Sequence, residues 1–158
     1  VNYSVFFRHE RVGTLVPNRS RLSYAYESGT VAAGGPALSV RLPVQVAPFP
    51  HDDANPFFAN LLPEEEYRRR LARMLGVSDR NVVGLLGAIG GECAGAVSIW
   101  PDGQRPPDVP DYVVLADDDV RQLFDATDVA QRLQIVREGR LSLAGGMEKL
   151  SLRRMHDR

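Results

Sequence analysis

Tyr3-Ser4-Val5-Phe6-Phe7 opens the chain, the polar stretch His9-Glu10-Arg11 interrupts it, and Val12-Gly13-Thr14-Leu15-Val16 follows. Two short runs of β-branched and aromatic residues parted by a polar turn read as strands that pair with each other. Leu22-Ser23-Tyr24-Ala25-Tyr26 adds a third strand on its aromatic content. Leu38-Ser39-Val40-Arg41-Leu42 reads as a fourth, because period two places Leu38, Val40 and Leu42 on one face. Pro43 ends that strand or sets it at a sheet edge. Gly29, Gly34, Gly35 and Pro36 mark the loop before it, with a helical turn at Val31–Ala33.

Beyond the strands the period changes. Pro48, Pro50, Pro56 and the pair Asp52-Asp53 interrupt any pattern from Val44 to Pro56, which reads as loop. A helix then begins with Pro63 at its first position. Glu64, Glu65 and Glu66 suit the positive end of its dipole, and Arg68, Arg69, Arg70 and Arg73 suit the negative end. Each of the three glutamates has an arginine four residues on, the better orientation for such pairs. Tyr67, Leu71, Met74 and Leu75 form the expected buried stripe, and Gly76 stops the helix. Ser78 is the expected cap of a second helix through Val82, Leu85, Leu86 and Ile89, ended by Gly90-Gly91. Ala94 to Trp100 reads as a small-residue strand, residues 101–111 as a proline-rich loop, and Tyr112 to Leu115 as a short strand. Asp117 or Asp118 then caps a helix carrying Val120, Leu123 and Phe124, and Thr127 caps one carrying Val129, Leu133 and Val136. Strands first and helices after is an α+β order: a small β-rich unit, an antiparallel sheet or partial barrel, with three to four helices.

The chain has 158 residues, 44% of them hydrophobic, enough to bury a core and to exclude disorder. With 19 basic and 20 acidic residues there is no global field to hold nucleic acid or an anionic membrane. No apolar run is long enough to span a bilayer, and the N-terminus lacks a signal-peptide pattern. One cysteine, Cys93, excludes an internal disulfide framework and a multi-cysteine zinc site. These features point to a soluble cytoplasmic protein. Lys149 is the sole lysine beside 18 arginines; either that position requires a compact ammonium or the bias is chance.

Arg140-Leu141-Ser142-Leu143-Ala144-Gly145-Gly146-Met147-Glu148-Lys149-Leu150-Ser151-Leu152-Arg153 reads as strand, glycine turn, strand. Without a Cβ, Gly145 and Gly146 let backbone N–H groups approach phosphate oxygens closely. No Gly-Lys-Ser/Thr follows, so it is not a Walker A loop, and an ordinary hairpin also explains it. Elsewhere the candidates are thinner. Asp117-Asp118-Asp119 suits a helix start better than a cation, since consecutive carboxylates there diverge. His9, His51 and His156 have no ligand-spaced partners. Cys93 reads as an inert thiol, Trp100 as a half-buried anchor, and the glycines from Gly87 to Gly95 as a site of close helix–strand packing.

Four ordered segments resemble HipA-type kinases, the toxins of bacterial toxin–antitoxin pairs linked to persistence. Leu141 to Lys149 is similar to the family's glycine-rich loop, and Pro36-Ala37-Leu38-Ser39-Val40-Arg41-Leu42-Pro43 to its P-L-S-x-x-L-P segment. Pro56-Phe57-Phe58-Ala59-Asn60-Leu61-Leu62-Pro63-Glu64 resembles its F-F-x-N-L-L-P-E segment. Leu85-Leu86 with Gly90-Gly91-Glu92-Cys93-Ala94-Gly95-Ala96 resembles its L-L…G-G-D-C-A-G-A segment. The resemblance implies an N-terminal subdomain over 1–138 and the start of a kinase N-lobe over 139–158, a truncated glycine-loop hairpin. It implies ATP-proximal positions at Ala144, Gly145, Gly146, Met147, Glu148 and Lys149, and a regulatory phosphorylation at Ser142. Where the family commonly carries Ala-Gln, this chain has Gly146-Met147, which removes a side-chain amide from the loop.

The family's ATP-pairing lysine, catalytic-loop aspartate and metal-binding aspartate have no counterpart here, so no catalytic residue is assigned to this chain. ATP and Mg belong to the full-length parent, and tight binding of either by these residues alone is not expected. The partners implied are a kinase C-terminal core, a HipB-like DNA-binding antitoxin and a protein substrate such as an aminoacyl-tRNA synthetase. The competing reading is a non-catalytic HipS-like antitoxin that binds a kinase core in trans.

Overall fold

The computed structural model describes residues 1–19, 21–93, 95–108 and 114–125. Two compact units share the chain, one holding residues 1–106 and the other lying within 107–141. The boundary expected at 138/139 falls outside the described residues.

The first unit is built on four strands: β1 (Tyr3–Phe7), β2 (Glu10–Asn18), β3 (Arg21–Tyr26) and β4 (Val97–Pro101). They form one sheet in the order β3-β2-β1-β4, every neighbouring pair antiparallel. The first turn is tighter than the polar stretch implied. Arg8 takes a left-handed conformation (φ 58°) and β2 already begins at Glu10. Between Val5↔Gly13 and Phe6↔Arg11 the register slips by one residue. Val12 is therefore the extra residue of a bulge, and its side chain is buried in the core.

Among its described residues this unit has four helices: α1 (Ser28–Ala32), α2 (His51–Asn60), α3 (Glu65–Leu75) and α4 (Val82–Ile89), the last continuing into a 3-10 turn at Gly90–Glu92. Leu15, Leu22, Tyr24, Val5 and Ile99 from the sheet form one core with Ala54 and Phe58 of α2 and Leu85 and Leu86 of α4. The α+β architecture and the antiparallel sheet expected from the sequence are both present.

Two expectations fail in instructive ways. Residues 38–42 are a turn, not a strand. Ser39 O accepts from Leu42 N at 2.9 Å and Ser39 Oγ accepts from Arg41 N at 3.1 Å. Leu42 is buried while Val40, two residues earlier, is 99% exposed. Residues 44–56 are not all loop, because α2 starts at His51. The features that looked like breakers are its N-terminal signals: Pro50 precedes the first turn, its carbonyl accepts from Ala54 N at 3.0 Å, and Asp52 and Asp53 face the positive end of the dipole. Pro56 sits inside the helix, and Ala54 and Phe58 provide its buried stripe.

Four corrections apply to the other helices. Pro63 precedes the cap residue Glu64 and is not the first helical residue of α3. Gly76 closes that helix as expected, in the left-handed conformation. Glu65 and Glu66 pair with Arg69 and Arg70, but Arg68 turns away from Glu64 and donates to Ala59 O at 3.0 Å and Pro63 O at 3.1 Å. It thereby ties the start of α3 to the last turn of α2, adding a second donor to the Ala59 carbonyl, which also accepts from Leu62 N at 3.2 Å. Leu71 and Ala72 are buried, whereas Met74 and Leu75 are exposed. For α4 the cap is Asn81, whose Oδ1 accepts from Gly84 N at 3.0 Å, while Ser78 Oγ accepts from Arg80 N.

The β3 border of the sheet is bridged, and a tight turn packs beside β4. Along β3, Tyr24 and Phe49 exchange two backbone hydrogen bonds, and His51 Nδ1 accepts from Leu22 N at 3.1 Å. Along β4, Gly90 lies so close to Ile99 that a Cβ there would stand 2.7 Å from its Cβ and 2.9 Å from its carbonyl oxygen. Pro101 at the end of β4 offers no donor.

The second unit contains α5 (Asp117–Asp125) among its described residues. Val114 and Leu115 belong to no strand, and residues 112 and 113 lie outside the described part, as does the helix expected after Thr127.

Candidate functional site

The residues that the glycine turn brought forward, Ser142, Ala144, Gly145, Gly146, Met147, Glu148 and Lys149, lie outside the described residues, together with Arg140, Arg153 and His156. The other candidates resolve into structural roles. Asp118 pairs with Arg121 at 3.2 Å, and Asp119 Oδ2 accepts from Ala116 N, so the acidic triplet serves the start of α5. Among the described residues no group of three potential metal ligands comes together. His9 is exposed in the first turn, and His51 is engaged with the Leu22 amide. Cys93 is half-buried against the core. Trp100 is likewise half-buried, its Nε1 donating to Ser98 Oγ at 3.1 Å. The glycine-dense segment is close packing, as its pattern suggested: Gly87 lies under the Tyr3 hydroxyl, Gly90 on Ile99 and Gly91 on the Trp100 ring.

What the described residues do assemble is a strap, residues 36–50, fastened along β3 by an aromatic group. The Tyr26 hydroxyl donates to Leu42 O at 2.5 Å and accepts from Leu38 N at 2.8 Å, so one atom pins both ends of the 38–42 turn. Beside it, Tyr24 meets Tyr26 edge-on at 4.9 Å and Phe58 at 5.4 Å, and Phe49 stacks on Tyr24 at 6.3 Å. Burial pushes the Tyr26 phenol above its ordinary pKa, with the Leu38 amide pulling the other way. The sequence signal for this assembly was Tyr24-x-Tyr26 on one face of a strand, together with the Pro36 and Pro43 brackets. It was read as strand content and not as a clamp.

The Tyr24 hydroxyl is buried without a hydrogen-bond partner and lies over Gly13. Burial raises its pKa well above the usual tyrosine value, and the nearby Tyr26 and Glu27 add to the rise. The unfolded chain therefore ionises this phenol first. Its contribution to stability is full below about pH 10 and is lost as pH climbs beyond it, at about 1.4 kcal/mol per pH unit. Tyr24→Phe is expected to leave neutral stability unchanged or raise it by about 1 kcal/mol. It should also flatten the alkaline loss, and urea melts between pH 8 and 11.5 would reveal both. A variant that follows the parent's alkaline slope would refute the assignment.

Fold and site together define a small α+β domain, an antiparallel meander whose fourth strand returns beside the first and whose helices cover one face. The family model described as HipA N-terminal domain matches residues 3–100, and the chain belongs to that family. Y4mE of Sinorhizobium fredii is 38% identical over 120 residues, covering 73% of this chain and 29% of that protein. The serine/threonine-protein kinase toxin HipA of Shewanella oneidensis is 34% identical over 96 residues, covering 61% of this chain and 22% of the relative. A solved complex of Shewanella oneidensis HipA with HipB and its operator DNA contains a chain similar in structure, with TM-score 0.65 and 25% identity, over 79% of this chain and 29% of that one. This chain thus spans less than a third of the length of the relatives it matches. Among the described residues no helix is long and apolar enough to cross a membrane.

Proposed function

We propose that this chain is the N-terminal region of a HipA-like serine/threonine kinase toxin of a toxin–antitoxin pair, and that it supplies a folded platform and a nucleotide-covering loop but none of the catalytic groups. The observation that carries this reading is the family match over residues 3–100, followed in the sequence by the glycine turn at 144–149. In the proposed protein, Ala144 to Lys149 cover the ATP phosphates through backbone N–H groups. The kinase core supplies the metal and positioning residues that phosphoryl transfer requires. Its cytoplasmic setting, a HipB-like antitoxin partner and a protein substrate such as an aminoacyl-tRNA synthetase belong to the same proposal. The complex of a similar protein with HipB supports the antitoxin part of it.

Phosphorylation of Ser142 would add roughly 1.5 to 2 negative charges beside the ATP phosphates and favour an expelled loop. Arg140 or Arg153 could hold that form through charge-assisted hydrogen bonds. Titration calorimetry tests the division of labour. ATP with Mg is expected to give no measurable binding to the 158-residue chain, because one loop does not enclose a ligand. The full-length protein should bind ATP, and Ser142→Asp should weaken that binding. A micromolar constant for the 158-residue chain, or unchanged affinity in full-length Ser142→Asp, would overturn the respective half of the proposal.

A further inference from the structure

The face of the sheet turned away from the helices carries a chain of polar contacts that ends on Asp102. Ser4 stands between Thr14 on β2 and Trp100 on β4. It is 1% exposed, and its Oγ donates to Asp102 Oδ1 at 3.2 Å. The Arg11 guanidinium lies 3.7 Å from the same oxygen and pairs with Glu27 at 3.1 Å. Asp102 N donates to Asn2 O at 3.0 Å, which extends the ladder between β4 and β1 by one rung. Asp102 therefore fastens the end of β4 with its main chain and its side chain together.

Gly103 follows, and the sequence holds no other Asp-Gly and no Asn-Gly pair. Such a pair rearranges with no reagent but water. The glycine nitrogen attacks the aspartate Cγ, and a five-membered imide forms as the Cγ–O bond breaks. The oxygen leaves as water, taking the amide proton and one proton from solvent. Water then opens the ring at either carbonyl, and opening at the main-chain carbonyl leaves isoaspartate. Glycine favours the attack because it has no Cβ to obstruct its nitrogen. Here both residues are exposed, the Asp102 side chain by 52%. The turn restrains them: Gln104 N donates to Pro101 O at 2.9 Å, and of the two central residues only Gly103 has a positive φ, 86°. That is the type II pattern, with ψ of the first central residue near about +120°. It points the Gly103 nitrogen away from the carboxyl group, so the turn has to open before the ring can close.

We propose that Asp102 is the residue at which this chain isomerises, and that Ser4 and Arg11 set the rate by holding its carboxylate in the closed turn. The product cannot keep the fastening. Isoaspartate lengthens the main chain by one methylene and shortens the branch bearing the free carboxylate by the same group. With β4 in register, that carboxylate no longer reaches Ser4 Oγ and Arg11.

Endoproteinase Asp-N gives the readout, because it cuts before aspartate and not before isoaspartate. Cuts before Asp79, Asp102 and Asp108 release residues 79–101 and 102–107 separately, whereas isomerisation at Asp102 leaves 79–107 in one piece. The 158-residue chain is incubated in neutral buffer below its melting range, beside a synthetic peptide of residues 98–105. Isoaspartate is expected to accumulate in the chain more slowly than in the peptide. In Ser4→Ala and in Arg11→Ala it should accumulate about three- to tenfold faster than in the parent, since each removes a contact to a charged carboxylate. Circular dichroism checks that each variant is folded, and Arg11, with a side chain 43% exposed, serves where the buried Ser4 site does not tolerate change. Folded variants that convert at the parent's rate, or a parent that converts as fast as the peptide, overturn the restraint. Absence of the 79–107 piece from parent and variants alike, while the peptide converts, overturns the site.

Discussion

Gly13→Ala is expected to destabilise the 1–106 unit by about 3 kcal/mol or more, a fall of about 15 °C in thermal midpoint for a unit of this size. Gly13 sits in the centre of the sheet, opposite Val5 on one side and Tyr26 on the other. An added Cβ would drive into the Tyr24 ring, its hydroxyl and the Ala25 carbonyl. The tyrosine cannot swing away, because Tyr26, Phe49 and Phe58 surround it, and the carbonyl belongs to the neighbouring strand. Gly29→Ala is the control. Nothing lies within 4 Å of a Cβ at that position in α1, so the change should be neutral or stabilise by about 0.5–1 kcal/mol. Circular dichroism melts of the two variants separate the outcomes. Equal midpoints would mean that Tyr24 does not lie over Gly13.

Tyr26→Phe is the second large effect, an expected loss of about 2–3 kcal/mol with local opening of the strap. The substitution keeps the ring and removes one oxygen, leaving Leu42 O without its donor and Leu38 N without its acceptor. Leu42 is fully buried, so its carbonyl cannot readily turn to water. Trypsin gives a direct readout, since Arg41 is the only basic residue between Arg21 and Arg68. Cleavage after Arg41 should be markedly faster in the variant than in the parent at a temperature where both remain folded by circular dichroism. Unchanged resistance at that bond would refute the clamp.

Much of this fold was legible where the physics is local. Tyr3–Phe7, Val12–Val16 and Leu22–Tyr26 are strands because β-branched and aromatic side chains pack well on a pleated surface, and all three lie within observed strands. The acidic-then-basic run from Glu64 to Arg73 marked α3 because the dipole rewards that order. The failures share one cause, which is that distant groups decided the outcome. Leu38, Val40 and Leu42 alternate as a strand would, yet a hydroxyl on Tyr26 folds them into a turn. Arg68 is spaced to pair with Glu64, but the Ala59 and Pro63 carbonyls lie within reach of its guanidinium. In α2 the residues that read as interruption are start signals: Pro50 and the two aspartates are how such a helix begins. The candidate phosphate-covering turn was visible only as a glycine pair between two short apolar runs, and its assignment came from resemblance, not from spacing.

The bridged flank of the sheet bears on how this domain behaves in crowded solution. A bare strand is a template: a second chain can add to it, and a third to the second, until a cross-β polymer grows. Here β3 is latched by Phe49 and His51. Addition of another chain along that strand requires the strap to lift first, so its hold on Tyr24 governs how readily that flank is bared.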